Sequence, residues 1–205
     1  AEKKEDVCEV KTSKAGWGND GTGSHNYGDM QGWKHDALPE DLKKYAIDPT
    51  SLGMKFRSSE GWPNPGNQCA HFSESLFSLI WTKDGNTPAA VVRTPLGKDE
   101  AYNHASAYGG SVSKTPVKGA MAGQPPNAAS PYAGHTYIVS HVFENGDILT
   151  LEQNSAGLSG ENNGETCTWN YRIVSKSTYT KEGHTYYSPE KDGYKPNSKI
   201  KMLGS

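Results

Sequence analysis

Residues 134–154 read GHTYIVSHVFENGDILTLEQN, two runs rich in β-branched and aromatic residues joined by Glu144-Asn-Gly-Asp147. Asn-Gly between two such runs is the strongest short signal for a hairpin, because both residues accept the backbone angles of a tight reversal. An antiparallel pair is expected here. A third strand is expected at Thr166–Val174 (TCTWNYRIV), where Cys167, Trp169, Tyr171 and Ile173 alternate with polar or charged neighbours, the period of a strand with one buried face. Upstream, CAHFSESLFSLIWTKDG places Cys69, Phe72, Leu76, Leu79 and Ile80 at helical spacing, with a stop at Asp84-Gly85. A helix followed by antiparallel strands implies an α+β fold, with N-terminal helices packed on a central antiparallel sheet.

Outside these elements the chain is irregular. Residues 1 to about 37 are rich in Gly, Asn, Asp and Lys without a period, but Trp17, Tyr27 and Trp33 offer enough aromatic surface to dock such an arm on the core. LPEDLKKY, from Leu38 to Tyr45, has Pro in a first-turn position and apolar residues at 38, 42 and 45, which predicts a short helix. The segment 112–134 holds four prolines and has room only for short strands and turns. The expected organisation is an arm over 1–50, a main domain over 51–190 and a tail over 191–205.

At 205 residues the chain suits one domain with a real core. With 23 Gly, 12 Pro and 11 Tyr against 33% hydrophobic residues, a helical bundle is a poor fit. The 21 basic and 23 acidic side chains are scattered and leave a net charge of −2, so no footprint for nucleic acid is visible. No apolar run approaches the roughly 18 residues of a membrane span, and a soluble protein without membrane insertion, acting as a monomer, is expected. The opening AEKKEDV is compatible with a processed secreted protein and contains no readable signal peptide.

The chemistry centres on one cysteine. In NPGNQCAHFSESL, residues 64–76, Cys69 sits where a Pro/Gly/Asn-rich loop gives way to the helix. Unpaired N–H groups and the positive end of the helix dipole there favour a thiolate, although buried cysteines also begin many apolar faces. A nucleophile needs a base. Gly134-His135 opens one strand, and Leu151-Glu152-Gln153-Asn154 closes the next. Strand alternation puts Glu152 and Asn154 on one face, where they can orient the His135 imidazole. Cysteine, histidine and an orienting carboxylate or amide make the arrangement for covalent acyl transfer. Gln68 and the Cys69 backbone N–H are candidate oxyanion donors. A zinc site from Cys69, His71 and His135 lacks the usual paired ligands, so neither metal nor cofactor is expected. The chain has three cysteines. With Cys69 free, Cys8 and Cys167 are the one pair available for a disulfide, the alternative being that both stay reduced.

GNQCAHF followed by PYAGHTYIVSHVFENGDILTLEQN resembles the cysteine, histidine-dependent amidohydrolase/peptidase (CHAP) family, whose motifs are a Gln-Cys pair opening the first core helix, a Gly-His opening a central strand and a Glu-x-Asn ending the next. The tail LSGENNGETCTWNYRIVSKSTY is similar to lysin-type members found in phages and mobile elements of Gram-positive bacteria. The resemblance runs from about Leu52 to Tyr187 and leaves the N-terminal arm unmatched. It implies a papain-like α+β fold, bacterial peptidoglycan as substrate and cleavage of an amide bond, either N-acetylmuramoyl-L-alanine or one in the stem or cross-bridge peptide. It also implies Cys69 as nucleophile, His135 as base, and Glu152 with Asn154 as orienting groups. A location outside the cell, or facing the wall as part of a phage or mobile-element lysis apparatus, follows. Some members bind calcium through closely spaced aspartates before the cysteine, and the loop 57–68 has none. The alternatives are a papain-like peptidase or transferase acting on proteins, and a wall-binding module without catalysis.

Overall fold

The computed structural model describes residues 31–57, 68–128, 130–155, 158–160 and 167–200, together with the backbone of 7–8 and 16–17; of residue 57 only the backbone is described. The elements in chain order begin with β1 (Val7–Cys8), β2 (Gly16–Trp17), β3 (Gln31–Lys34), α1 (Glu40–Lys43) and β4 (Phe56–Arg57). The central run is α2 (Cys69–Ile80), β5 (Trp81–Thr82), α3 (Glu100–Tyr108), β6 (Met121–Gln124), β7 (His135–Val142) and β8 (Ile148–Leu151). The chain closes with β9 (Asn170–Val174), α4 (Lys176–Glu182), β10 (Thr185–Tyr187) and β11 (Lys195–Pro196). The fold is α+β. Its main sheet has the order β10-β6-β7-β8-β9-β3-β2, with every neighbouring pair antiparallel.

The hairpin expected at Asn145-Gly146 joins β7 to β8. Gly146 N–H donates to Phe143 O at 2.9 Å, Phe143 N–H donates to Asp147 O at 2.8 Å, and Gly146 holds φ 92°. The glycine takes the left-handed angle that would strain a side chain. From there the register runs Val142↔Ile148 and His141↔Leu149, slips at a bulge between Val139 and His141, and resumes at Val139↔Thr150 and Ile138↔Leu151.

Alternation divides the sheet's core in two. Met121, Ile138, Leu149, Leu151 and Ile173 join a cluster with Phe72, Leu76, Phe77 and Ile80 of α2. Tyr137, Val139, Ile148 and Val174 join a second cluster with Tyr179 of α4. Phe72, Leu76, Phe77 and Ile80 are fully buried, and each such side chain contributes about 1.5–3 kcal/mol by leaving water. Leu76→Ala would cost about 2–5 kcal/mol and loosen the helix that carries Cys69.

Three expectations are corrected. Helix α2 stops at Ile80, short of Asp84-Gly85, because Trp81 turns to extended backbone at φ −103°, ψ 131° and pairs with Pro196; Trp81 is fully buried there, its Nε1 donating to Gly119 O at 2.9 Å. Residues 31–34 are not irregular arm but β3, an interior strand between β9 and β2 with Trp33 fully buried. Among the described residues the third strand begins at Asn170, with 167–169 outside it; Thr166 lies outside the described residues, as do Tyr27, the side chain of Trp17 and residues 58–67 of the loop in which no calcium-binding aspartates were expected. The short helix after Leu38 is present as α1, with Leu42 buried. Helix α3 had no periodic signal, since it buries Glu100, Ala101, His104 and Ala105 rather than large apolar residues.

Candidate active site

Cys69 is the first residue of α2, partly exposed, and its sulfur is a free thiol. Gln68 is the N-cap, in extended conformation and without a side-chain capping bond. The first N–H groups of a helix have no partner within it, so the sulfur sits among donors.

His135 opens β7 and pairs in register with Gln124 of β6. Two glycines let the chain close around it. A Cβ on Gly97 would stand 2.8 Å from the carbonyl carbon of His135. Gly134 has φ 63°, and a Cβ there would collide with Gln124 O and Lys98. The turn before α3 is thereby pressed against the strand that carries the imidazole, with Lys98 N–H donating to Ala133 O at 2.9 Å.

Nε2 of His135 lies 2.9 Å from Oε1 of Glu152, and the Cys69 side chain is near enough to act on the imidazole. With Nε2 turned to the carboxylate, Nδ1 is the nitrogen left for the sulfur. Burial alone would lower the pKa of His135, but the charge and hydrogen bond of Cys69, then those of Glu152, outweigh it and push it up to about 9. These neighbours favour the imidazolium over the neutral ring. Glu152 is fully buried, which by itself would raise its carboxyl pKa; the Arg172 charge, the His135 bond and charge, and a bond from Ser155 hold it well below the usual carboxylate range.

Glu152 is fixed on every side. Its backbone exchanges two hydrogen bonds with Asn170, at 3.0 and 2.9 Å. Arg172 Nε reaches Oε1 at 3.0 Å, and the Thr150 hydroxyl donates to Oε2. Thr150 Oγ1 in turn accepts from Arg172 N–H at 3.0 Å. Arg172 and Thr150 were missed in the sequence. Their signal was the register. Ile148↔Val174 and Leu149↔Ile173 set Thr150 opposite Arg172 and Glu152 opposite Asn170, so the arginine is a diagonal neighbour of the carboxylate on the same face.

Asn154 stands elsewhere. Extending the β7–β8 register from Ile138↔Leu151 would bring Asn154 opposite His135, but β8 ends at Leu151 and Asn154 takes the left-handed angle φ 56°. Its Nδ2 donates to Oε1 of Gln68 at 3.2 Å. The structure thus brings together Cys69, His135 and Glu152, the last two hydrogen-bonded, and joins Asn154 to Gln68 beside them. Behind the helix, Glu100 is fully buried. Burial first, then the nearby Glu74 and the charge of Cys69, push its carboxyl pKa well above the usual range. Among the described residues no group of three or more His, Cys, Asp or Glu side chains is placed to hold a metal ion.

Cys167 is disulfide-bonded. The side chain of Cys8, its expected partner, lies outside the described residues.

The residues of this chain from the loop before Cys69 to Asn154 fit one family model. Residues 59–154 match the CHAP domain. The match ends on Asn154 and contains Gln68, Cys69, His135 and Glu152, whereas Arg172 and the disulfide-bonded Cys167 fall outside it. Among solved structures, the chain is similar to an N-acetylmuramoyl-L-alanine amidase from Staphylococcus aureus at 21% identity and a TM-score of 0.43, over 63% of this chain and 32% of that one. It is also similar to Ly7917, solved alone and with the hydrolyzing product of MDP, at 22% identity and a TM-score of 0.43, over 61% of this chain and 55% of that one. The chain thus spans about a third of the first protein and about half of the second. No curated protein matches it.

Proposed function

We propose that this protein is a peptidoglycan hydrolase that cleaves an amide bond, with Cys69 as nucleophile. The observation that carries the reading is the convergence of Cys69, at the start of α2, on His135, whose Nε2 is bonded to the fully buried Glu152, within the CHAP-matching segment. The Cys69 thiolate attacks the carbonyl carbon of the scissile amide, and the tetrahedral oxyanion is held by the Cys69 backbone N–H and the Gln68 amide. The C–N bond then breaks as the His135 imidazolium gives its proton to the leaving amine, which leaves a thioester on Cys69. Neutral His135 next takes a proton from water, hydroxide adds to the thioester, and the carboxylic acid departs as the thiolate re-forms. Glu152 keeps the imidazole oriented and stabilises its charged form throughout. The substrate places the protein outside the cell or facing the wall, as a secreted enzyme or part of a lysis apparatus.

The bond cut is an amide, either N-acetylmuramoyl-L-alanine or one within the stem or cross-bridge peptides. Mass spectrometry of purified peptidoglycan after digestion is the test, with Cys69→Ala as control. New amino termini that appear with the wild type and not with the variant support the reading; new reducing sugar ends, or no products, overturn it.

A further inference from the structure

Asn154 has two candidate clients. The sequence pattern Glu-x-Asn assigns it to the histidine, whereas the atoms assign it to the glutamine before the nucleophile. Nε2 of His135 is taken by Glu152 at 2.9 Å, and Nδ2 of Asn154 donates to Oε1 of Gln68 at 3.2 Å. The backbone explains the division. A strand continued past Leu151 would have delivered Asn154 to the imidazole, but φ 56° turns the chain out of the ladder. Asn is one of the few residues besides Gly that enters that region at low cost.

A primary amide has a donor end and an acceptor end, and only a hydrogen bond decides which way each points. Gln68 makes no capping bond with its side chain. We infer that Asn154 is a positioning residue for Gln68 rather than for His135: it holds the glutamine's oxygen, and so directs the glutamine's NH2 to the reacting carbonyl as an oxyanion donor. This rests on the hydrolase reading above. An amide with its oxygen turned inward would repel the developing oxyanion, so the bond from Asn154 sets the sign of what Gln68 does to the transition state. It also separates the site into two halves: Arg172, Glu152 and His135 handle the proton, and Asn154 with Gln68 handles the oxyanion.

The test is a double-mutant cycle read three ways on the whole chain. Asn154→Gly is the first variant, since glycine keeps the left-handed turn and removes only the side chain; Asn154→Ala checks for backbone strain. Gln68→Ala is the second. For kcat on peptidoglycan, Gln68→Ala is expected to cost about 100-fold, Asn154→Gly about 10-fold or more, and the double variant no more than Gln68→Ala alone. Multiplying losses would overturn the inference. The second readout does not depend on turnover. The pH profile of Cys69 alkylation by iodoacetamide reports the Cys69–His135 pair, and it is expected to superimpose on the wild type in Asn154→Gly while shifting in Glu152→Gln. A shift in Asn154→Gly matching that of Glu152→Gln would return Asn154 to the histidine and overturn the inference. Third, urea midpoints are expected to show the double variant less destabilised than the sum of the singles; strict additivity counts against a bond between the two side chains. If the wild type releases nothing from peptidoglycan, the hydrolase reading fails, and the alkylation profile and urea cycle still decide whom Asn154 serves.

Discussion

Arg172 Nε lies 3.0 Å from Oε1 of Glu152, the same oxygen that faces Nε2 of His135 at 2.9 Å. One carboxylate oxygen thus joins a guanidinium to the His135 imidazole. Without a cation the fully buried Glu152 would take up a proton, because burial penalises its charged form. The Arg172 charge is the largest influence opposing that penalty. Arg172→Met is therefore expected to raise the Glu152 pKa and to move the acid limb of kcat/KM to higher pH, with kcat falling about 10- to 100-fold. Arg172→Lys, which keeps the charge, restores most of the loss. Stability falls too, by about 2–3 kcal/mol, below the usual cost of breaking a buried ion pair because the arginine is partly exposed. A variant whose activity drops with an unmoved acid limb would reduce Arg172 to a packing role.

Acid stability follows from the same carboxyl. Its folded pKa is depressed, so its contribution is complete above its unfolded value of about 4.3 and is lost as pH falls through the lower folded value. Glu152→Gln removes a group whose ionisation favours the fold, and the urea midpoint of that variant is expected to vary less between pH 5 and pH 3 than the wild type's. Equal slopes in the two proteins would mean that other carboxyls govern the acid transition.

At the alkaline end the His135 proton is the relevant one. In the proposed mechanism the active form carries the imidazolium, and the His135 pKa is pushed up to about 9. Activity is expected to hold through neutral pH and to fall above about 9, the limb belonging to the Cys69–His135 pair rather than to either residue alone. Glu152→Gln loses a charge and changes a bond that both raise the histidine, so its alkaline limb moves to lower pH. A pH–rate profile of lysis with both proteins measures this, and an unshifted limb would detach Glu152 from the proton transfer.

Cys69→Ser should abolish hydrolysis while the protein stays folded, since a hydroxyl is far harder to ionise than a thiol of nearly the same size. The loss expected of a true nucleophile is several orders of magnitude. Turbidity clearing of cell walls by more than about a tenth of the wild-type rate, at an unchanged melting temperature, would exclude Cys69 from that role.

The hairpin at Asn145-Gly146, the Cys69 helix and the strand start at His135 were legible because each is written in local residues: a turn pair, a 3.6-residue period and an alternation. Arg172 was not, since its meaning lies in the pairing of β8 with β9, two strands separated by a long connection. Nor was the turn of Asn154, where the alternation rule fails beyond the strand's last residue, Leu151, and a single left-handed angle sends a side chain to a different partner. Helix α3 was hidden for another reason. Its inward face is Glu100, Ala101, His104 and Ala105, and no hydrophobic period can announce a helix whose core side is small or polar. Strand β3 was masked by its glycine-rich surroundings, although Trp33 on it is as buried as any residue of the core.

The last prediction concerns the arm. Cys167 is disulfide-bonded and Cys69 is free, and the chain has three cysteines. β1 brings the Cys8 backbone into register with Phe56, and the Phe56 ring stacks on Trp169 at a centroid distance of 5.4 Å, two residues beyond Cys167. The expected bridge is therefore Cys8–Cys167, closing a long loop whose chain-entropy contribution is about 4–5 kcal/mol before native strain is deducted. The denatured, unreduced protein should show one thiol per chain. Three would mean that the bond is absent in solution. A peptide map should then find Cys8 and Cys167 in one disulfide-linked fragment, and reduction should lower the melting temperature while leaving the Cys69 alkylation profile in place. A linked fragment between two molecules, visible as a dimer on a non-reducing gel, would replace the intrachain bridge with an interchain one and leave β1 held by its pairing with β4 alone.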